Sequence, residues 1–303
     1  MSGPSGGAGT RATGLRSTGA PFVPFGRKLP GAGLRSVISA CAERRRLARS
    51  HRTERPGGPT HRVACSALAR HSAGMCGRAR LSTDASEIKL IFSIPPHRPT
   101  PNFAPTWNLA PTDPLPIVRF DAHRGERSLD VMRWGLVPYW ASDIKIGYST
   151  FNAKAEGLDA RPAFREPFRR RRCLVPLDGF YEWKKLGDKR QPYAVALADR
   201  RLMAVAGLWD SWRSPQGERL RSFTIITTKP NELLAPLHDR MPVILDPRHW
   251  PAWLGEEAAD PAQLRTLLAP YPADDMAIWP VGPRVGNVKN NDPSLIEPVA
   301  APA

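Results

Sequence analysis

Met75-Cys76-Gly77-Arg78 carries the most specific chemistry in this 303-residue chain. If Met75 were a start methionine and were trimmed, Cys76 would become the first residue, presenting a thiol beside a free amine. That pair closes a stable five-membered ring on an aldehyde carbon. Three further polar residues interrupt apolar stretches: Glu182 in Phe180-Tyr181-Glu182-Trp183, His238 in Leu237-His238-Asp239-Arg240, and Asn152 in Phe151-Asn152-Ala153-Lys154. On a strand, Glu182 faces away from Tyr181 and Trp183. A carboxylate among large rings has a raised pKa and suits general acid work, whereas on a solvent face it is only a surface charge. His238, between Asp and Arg, is either oriented near a useful pKa or structural. Asn152 and Asn108 either fix the backbone or hold a substrate oxygen.

Cations and flat rings alternate in two places. Arg133-Trp134-Gly135-Leu136-Val137-Pro138-Tyr139-Trp140 sets rings near a guanidinium, and Phe164-Arg165-Glu166-Pro167-Phe168 leads into the run Arg169 to Arg172. Such surfaces stack unpaired bases and neutralise phosphates, and the same pattern also describes a tryptophan-rich core beside a solvated charge run.

The elements that must hold these residues are mostly short strands separated by Pro and Gly. Leu115–Phe120, Leu129–Trp134 (broken at Gly135), Cys173–Leu177, Phe180–Trp183, Tyr193–Leu197, Met203–Trp209 and Ser222–Thr227 read as strands, with a turn over Lys184–Lys189. Helices are predicted from Asp84 to Phe92 with a cap at Ser82 or Thr83, from Pro247 to Leu254 after Asp246, and from Pro261 to Leu268. Strands without regular strand–helix alternation point to an α+β fold, a mostly antiparallel, curved, barrel-like sheet with flanking helices.

Residues 1–74 differ in composition. Up to Met75 there are 13 Lys or Arg against Glu43 and Glu54, a net of +11 out of the chain's +16. This Gly-, Ser-, Pro- and Arg-rich segment has no sustained apolar period and reads as disordered. Three origins fit it: a start assigned too early, a basic targeting or processing leader, or an arm attracted to nucleic acid. The domain is expected over 75–298, followed by a short tail at 299–303. Of four cysteines, Cys41 and Cys65 fall in the leader, so neither a disulfide framework nor a zinc site is indicated. No Gly-rich phosphate loop and no membrane-length apolar run occurs, and no metal or cofactor is expected.

Seven motifs in order resemble the SOS response-associated peptidase family, the bacterial relatives of the human abasic-site shield protein: Met75–Arg78, Trp107–Pro111, Arg133–Pro138, Asn152–Glu156, Asp178–Trp183, His238–Pro242 and Val285–Asn290. The likeness covers about Cys76 to Pro298. It implies a compact mixed domain of curved antiparallel strands, a basic channel for single-stranded DNA, and covalent capture of abasic sites as a thiazolidine on mature Cys76. It places the active-site asparagine at Asn152, the glutamate at Glu182 and the histidine at His238. DNA contacts are implied at Arg78, Asn108, Arg133, Trp134, Lys154, Trp183 and Thr227. Lys154 stands where many members carry arginine, keeping the charge and losing the bidentate fork.

The resemblance further implies a monomer acting on abasic single strands and on single-strand/double-strand junctions, without a membrane. Trimming of its own amino terminus and a lyase step belong to the same expectation, in the cytoplasm on nucleoid DNA, with organellar targeting by the leader left open. Two other classes remain: a cysteine peptidase with Cys76 and His238 acting on its own terminus, and a non-covalent single-strand-binding module.

Overall fold

The computed structural model describes residues 77–300. The leader, Met75, Cys76 and the last three residues lie outside the described residues. Twelve strands and four α-helices form two sheets. The first sheet runs β12 (Met276–Pro280), β8 (Lys189–Leu197), β7 (Gly179–Leu186), β1 (Ala79–Leu81) and β2 (Thr106–Leu109). Its neighbours are all antiparallel.

The second sheet closes on itself. β4 (Glu126–Trp134) pairs with β3 (Pro114–Asp121), β3 with β6 (Arg172–Leu177), β6 with β9 (Met203–Arg213), and β9 with β10 (Arg219–Thr228). β10 returns to β4 in parallel through Ser222↔Arg133 and Phe223↔Trp134, completing a five-stranded barrel. Beyond that pairing β10 takes new neighbours: β5 (Asn152–Lys154) on one edge and β11 (Met241–Pro242) on the other. The expected α+β fold with a curved, largely antiparallel barrel is what forms.

Two apolar clusters fill the molecule. The larger includes Trp134, Phe180, Phe223 and Ile225; the smaller holds Tyr181, Ala194, Val281, Val285 and Leu295. Phe180 and Tyr181 are neighbours on β7, so alternation sends one to each face of the first sheet. The C-terminal segment covers the Tyr181 face.

Gly135 ends β4 as the sequence suggests, for a steric reason. Its φ is +114°, and a Cβ there would lie 2.5 Å from the Gly147 carbonyl oxygen. The excursion that begins here runs to residue 151, and its neck is tied by the Thr150 hydroxyl donating to the Leu136 carbonyl at 2.5 Å.

Several boundaries differ from the sequence reading. β7 continues through Lys184-Lys185-Leu186 and turns in two residues, with Leu186 opposite Lys189. The run before Arg172, to which the sequence reading assigns no element, is helical: α2 (Pro162–Arg170) starts at a proline and turns Phe164 and Phe168 inward, an i,i+4 apolar pair among arginines. α1 (Ala85–Ile91) is capped by Asp84, whose carboxylate accepts from the Ser86 and Glu87 amides. Ser82 and Thr83, expected as caps, instead donate to Asp178. The expected helix from Pro247 is a 3₁₀ turn (Pro247–His249) followed by α3 (Trp250–Leu254), while α4 (Pro261–Thr266) begins with an Asp260/Gln263 capping box.

Asp178 is the clasp between the end of β1 and the β6–β7 corner. It accepts the Ser82 amide, the Ser82 hydroxyl at 2.7 Å, the Thr83 amide at 3.2 Å and the Thr83 hydroxyl at 2.5 Å. Replacing Asp178 with Ala leaves two amides without their acceptor. Loss of these charge-assisted bonds is expected to lower stability by about 3 kcal/mol; urea unfolding of the two proteins, with D178N recovering part of the loss, checks it.

Candidate functional site

Arg78 and Asn108 form a latch on the Tyr181 face. The Arg78 guanidinium donates to Asn108 Oδ1 at 2.6 Å, to the Val285 carbonyl at 2.7 Å and to the Gly286 carbonyl at 2.8 Å, and lies 5.9 Å from the Trp183 ring centre. Asn108 is buried and its amide donates to the carbonyls of Val285, Asn287 and Asn290. Three of the sequence motifs, 75–78, 107–111 and 285–290, therefore meet at one point. Both residues spend donors on the backbone of the C-terminal segment, and burial lowers the Arg78 pKa. Tyr181, beneath them, donates to the Trp107 carbonyl at 2.8 Å, and burial pushes its phenol up to about 12.

A second group gathers where β10 exchanges partners. Asn152 is level with Ile225 and Lys154 with Thr227, while Pro242 flanks Thr227 on the other edge. Buried Thr227 donates to the Ala153 carbonyl at 3.4 Å. The motifs 152–156 and 238–242 are then locked by a bidentate pair: Arg240 Nη1 and Nη2 each lie 2.7 Å from a Glu156 carboxylate oxygen, and Nη2 also donates to the Thr227 carbonyl. Arg240 holds the Glu156 carboxyl below its ordinary range, chiefly through that hydrogen bond.

His238 precedes this clamp with its side chain 17% exposed. Its Nδ1 is 2.8 Å from Asp239 Oδ1 and 3.1 Å from the Arg240 amide. A protonated Nδ1 bonds the carboxylate and an unprotonated one accepts the amide, so the ring is oriented in either form. Glu182 is 5% exposed and lies opposite Tyr193 on β8, on the same face of β7 as Phe180. The alternative of an exposed surface glutamate is excluded.

The Arg133–Trp140 stretch divides into core and surface. Trp134 is 0% exposed, donates its indole N–H to the Phe151 carbonyl at 2.9 Å and stacks on Phe223. Its ring cannot receive a base, because closing the barrel between β4 and β10 consumes both its faces. The excursion instead exposes Tyr139, Trp140 and Tyr148, with Arg133 5.7 Å from the Tyr148 ring. Sequence reading missed Tyr148. It also missed Asp210, a buried carboxylate whose Oδ2 accepts the Tyr139 amide at 3.1 Å and fixes the exposed end. Burial raises the Asp210 pKa.

The arginine run divides, with Arg171 and Arg172 built into the fold and Arg169 and Arg170 exposed. Arg172 donates to the carbonyls of Phe168, Arg169 and Trp253, closing the C-terminus of α2, and Arg171 Nε lies 3.4 Å from Asp210. Among the described residues no group of three or more His, Cys, Asp or Glu could hold a metal, and no helix is long and apolar enough to cross a membrane. The one cysteine described, Cys173, is buried, and burial pushes its thiol far above its ordinary range.

The Glu156–Arg240 clamp has a signed pH dependence. Glu156 has a lowered pKa when folded, so its contribution is present above the unfolded value, about 4.3, and is lost as pH falls through the folded value. Its carboxylate is half-exposed, so screening limits the effect. E156Q is expected to cost about 1 kcal/mol at neutral pH, with the difference closing in acid; paired urea titrations at pH 7 and below the ordinary glutamate range measure it.

Residues 75–288 match the family described as SOS response associated peptidase (SRAP). The Abasic site processing protein YoqW of Bacillus subtilis (strain 168) is 44% identical over 224 residues, covering 74% of this chain and 99% of that protein. The Abasic site processing protein HMCES of Rattus norvegicus is 31% identical over 276 residues, covering 74% of this chain and 76% of that one. A crystal structure of a protein from Bacteroides thetaiotaomicron superposes with a TM-score of 0.68 at 25% identity, covering 74% of this chain and all of that one. Fold, motifs and relatives agree, and the chain belongs to the SRAP family.

Proposed function

We propose that this protein processes abasic sites by trapping their ring-opened sugar on Cys76. Family membership and the names of the relatives support the substrate. What carries the mechanism is the register of β1 on β7: Ala79 faces Phe180, and the Tyr181 amide donates to the Arg78 carbonyl at 3.0 Å. Continued by one step, this register sets Gly77 opposite buried Glu182, and Cys76 is bonded directly to Gly77. Among the described residues the one thiol, Cys173, is buried in the core, and the cysteine adjoining Gly77 in the chain is Cys76.

An abasic deoxyribose exists partly as an open-chain aldehyde. Glu182 accepts and returns protons as the sugar opens and the Cys76 amine attacks the aldehyde carbon; loss of one water gives an imine. The thiol adds to the same carbon, forming the C–S bond while its proton passes to nitrogen, and the thiazolidine closes. Ring closure within one residue benefits from high effective concentration. Asn152 holds a sugar hydroxyl or the adjoining phosphate, and His238 orients the 3′ side and protonates the opened sugar oxygen. The chemistry requires a free amine, so the leader and Met75 are removed first. The autopeptidase activity assigned to such chains is this removal.

Single strands are the preferred substrate in this reading, because the exposed Tyr139, Trp140 and Tyr148 offer rings to unpaired bases, with Arg133 beside Tyr148 and Lys154 on β5 for phosphate. Trp134 is dropped from that role. Arg78 and Asn108 hold the C-terminal segment through its carbonyls at Val285 to Asn290.

Intact-mass measurement of the purified protein, before and after incubation with an abasic single-stranded oligonucleotide, tests the whole scheme. The expected result is a chain beginning at Cys76 and an adduct equal to protein plus oligonucleotide minus one water. C76S should form no adduct while retaining ordinary strand binding, and E182Q should crosslink about 100-fold more slowly. An adduct on a chain whose Cys76 nitrogen remains in a peptide bond overturns the mechanism.

A further inference from the structure

The face of the first sheet opposite Glu182 carries an open cavity of about 570 Å³ bordered by Arg80, Ser82, Asp178, Arg200 and Trp279. Arg80 is 8% exposed. Its Nη2 donates to the Asp178 carbonyl at 2.8 Å, its Nε is enclosed without an acceptor, and no carboxylate among the described residues reaches ion-pair distance. The carboxylate of Asp178 accepts from Ser82 and Thr83. Burial and, to a smaller extent, the charge of Arg200 lower the Arg80 pKa against the pull of Asp178 and Tyr181.

Arg200 brings a second cation to the same rim. It stands in the turn between β8 and β9 with φ +63°, a left-handed backbone that a side-chain-bearing residue adopts at a cost. The turn sets its guanidinium 4.0 Å from the centre of the Trp279 ring. Neighbouring Asp199 is taken by Arg201 at 3.1 Å and does not neutralise Arg200. Space for Arg80 depends on Gly179, where a Cβ would sit 3.0 Å from Arg80 Nε and would also collide with the Val195 carbonyl oxygen.

A buried cation with no carboxylate at ion-pair distance among the described residues, and a second cation held beside it by a strained turn, are a cost to the free protein. A bound anion removes that cost. Two guanidinium groups match a doubly charged tetrahedral oxyanion better than a single carboxylate, since each fork can take two oxygens. We propose that this cavity is a phosphate site, gripped by Arg80 and Arg200 and separate from the aldehyde chemistry on the other face.

The test uses the whole protein, ¹⁵N-labelled, following the Trp279 indole N–H resonance, which W279F identifies. Inorganic phosphate is expected to shift this resonance saturably, whereas sodium chloride at equal ionic strength is not. R200Q, a change at an exposed turn, should weaken the response at least tenfold, and R80Q should abolish it, with thermal melts confirming that both fold. A parallel titration with an undamaged single-stranded oligonucleotide separates the sources. A shift lost in R200Q identifies a strand phosphate, and a response to inorganic phosphate alone identifies a free phosphate or phosphorylated small molecule. Equal shifts with chloride, no response to either probe, or an unchanged response in folded R200Q overturns the proposal. Crosslinking of abasic DNA is not required for any of these readings, so the two proposals fail independently.

Discussion

The change of partners along β10 is the constraint on which the rest of the molecule depends. This strand closes the barrel against β4 and β9, then continues past both and is flanked by β5 and β11. A strand can have two successive neighbours on one edge only if the first leaves sharply, and Gly135 provides that exit. The chain released there returns two strand positions further along, where Ile225 follows Phe223, and it does so as Asn152–Lys154. One backbone event thus creates both the exposed aromatic excursion and the strip bearing Asn152, Lys154 and Thr227. The Arg240–Glu156 pair then fixes the far edge, so that His238 is presented from a braced turn rather than a free loop.

Arginine has a different meaning in this fold from the one its frequency suggests. Arg78, Arg172 and Arg240 all donate to backbone carbonyls, and Arg171 faces Asp210. The guanidinium suits this work because it keeps its charge when half-buried and can bind several acceptors in one plane. Net charge is therefore a poor map of where a polyanion would lie. In the functions proposed, the cations that matter for binding are those with no carboxylate at ion-pair distance among the described residues, such as Arg80, and those beside exposed rings, such as Arg133.

Much of the fold was legible because its strands alternate and end at Gly or Pro: the exit at Gly135 and the strands that became β6, β8, β9 and β10 could be read directly. β1, β5 and β11 could not, since segments of two or three residues have no period and owe their extended form to a neighbour. α2 was hidden by its charge, although Phe164 and Phe168 one turn apart, after a proline, were the available signal. Local reading left Asn108 and Glu182 ambiguous because burial depends on distant segments. Asn108 is enclosed by residues 285–290, and Glu182 by the core on the Phe180 face. Trp134 was misread for the same reason, since nothing in Arg133-Trp134-Gly135 states that Phe151 and Phe223 will cover the ring.

Alternation along β7 separates two kinds of chemistry within four residues. Tyr181 and Trp183 belong to the face closed by the C-terminal segment, where Arg78 and Arg80 also lie; Phe180 and Glu182 belong to the barrel side. In an antiparallel pair, opposed residues project to the same face, so whatever residue stands opposite Glu182 has its side chain beside that carboxylate. The register gives this place to Gly77. With no side chain there, the space next to Glu182 is left to the backbone and to whatever the amino terminus brings, while Arg78 on the other face anchors the same strand. Under the proposed mechanism a bulkier residue at 77 would crowd the space beside Glu182, and loss of the Arg78 anchor would free the start of β1. The proposed phosphate site and the proposed reaction site thus lie on opposite faces of β7.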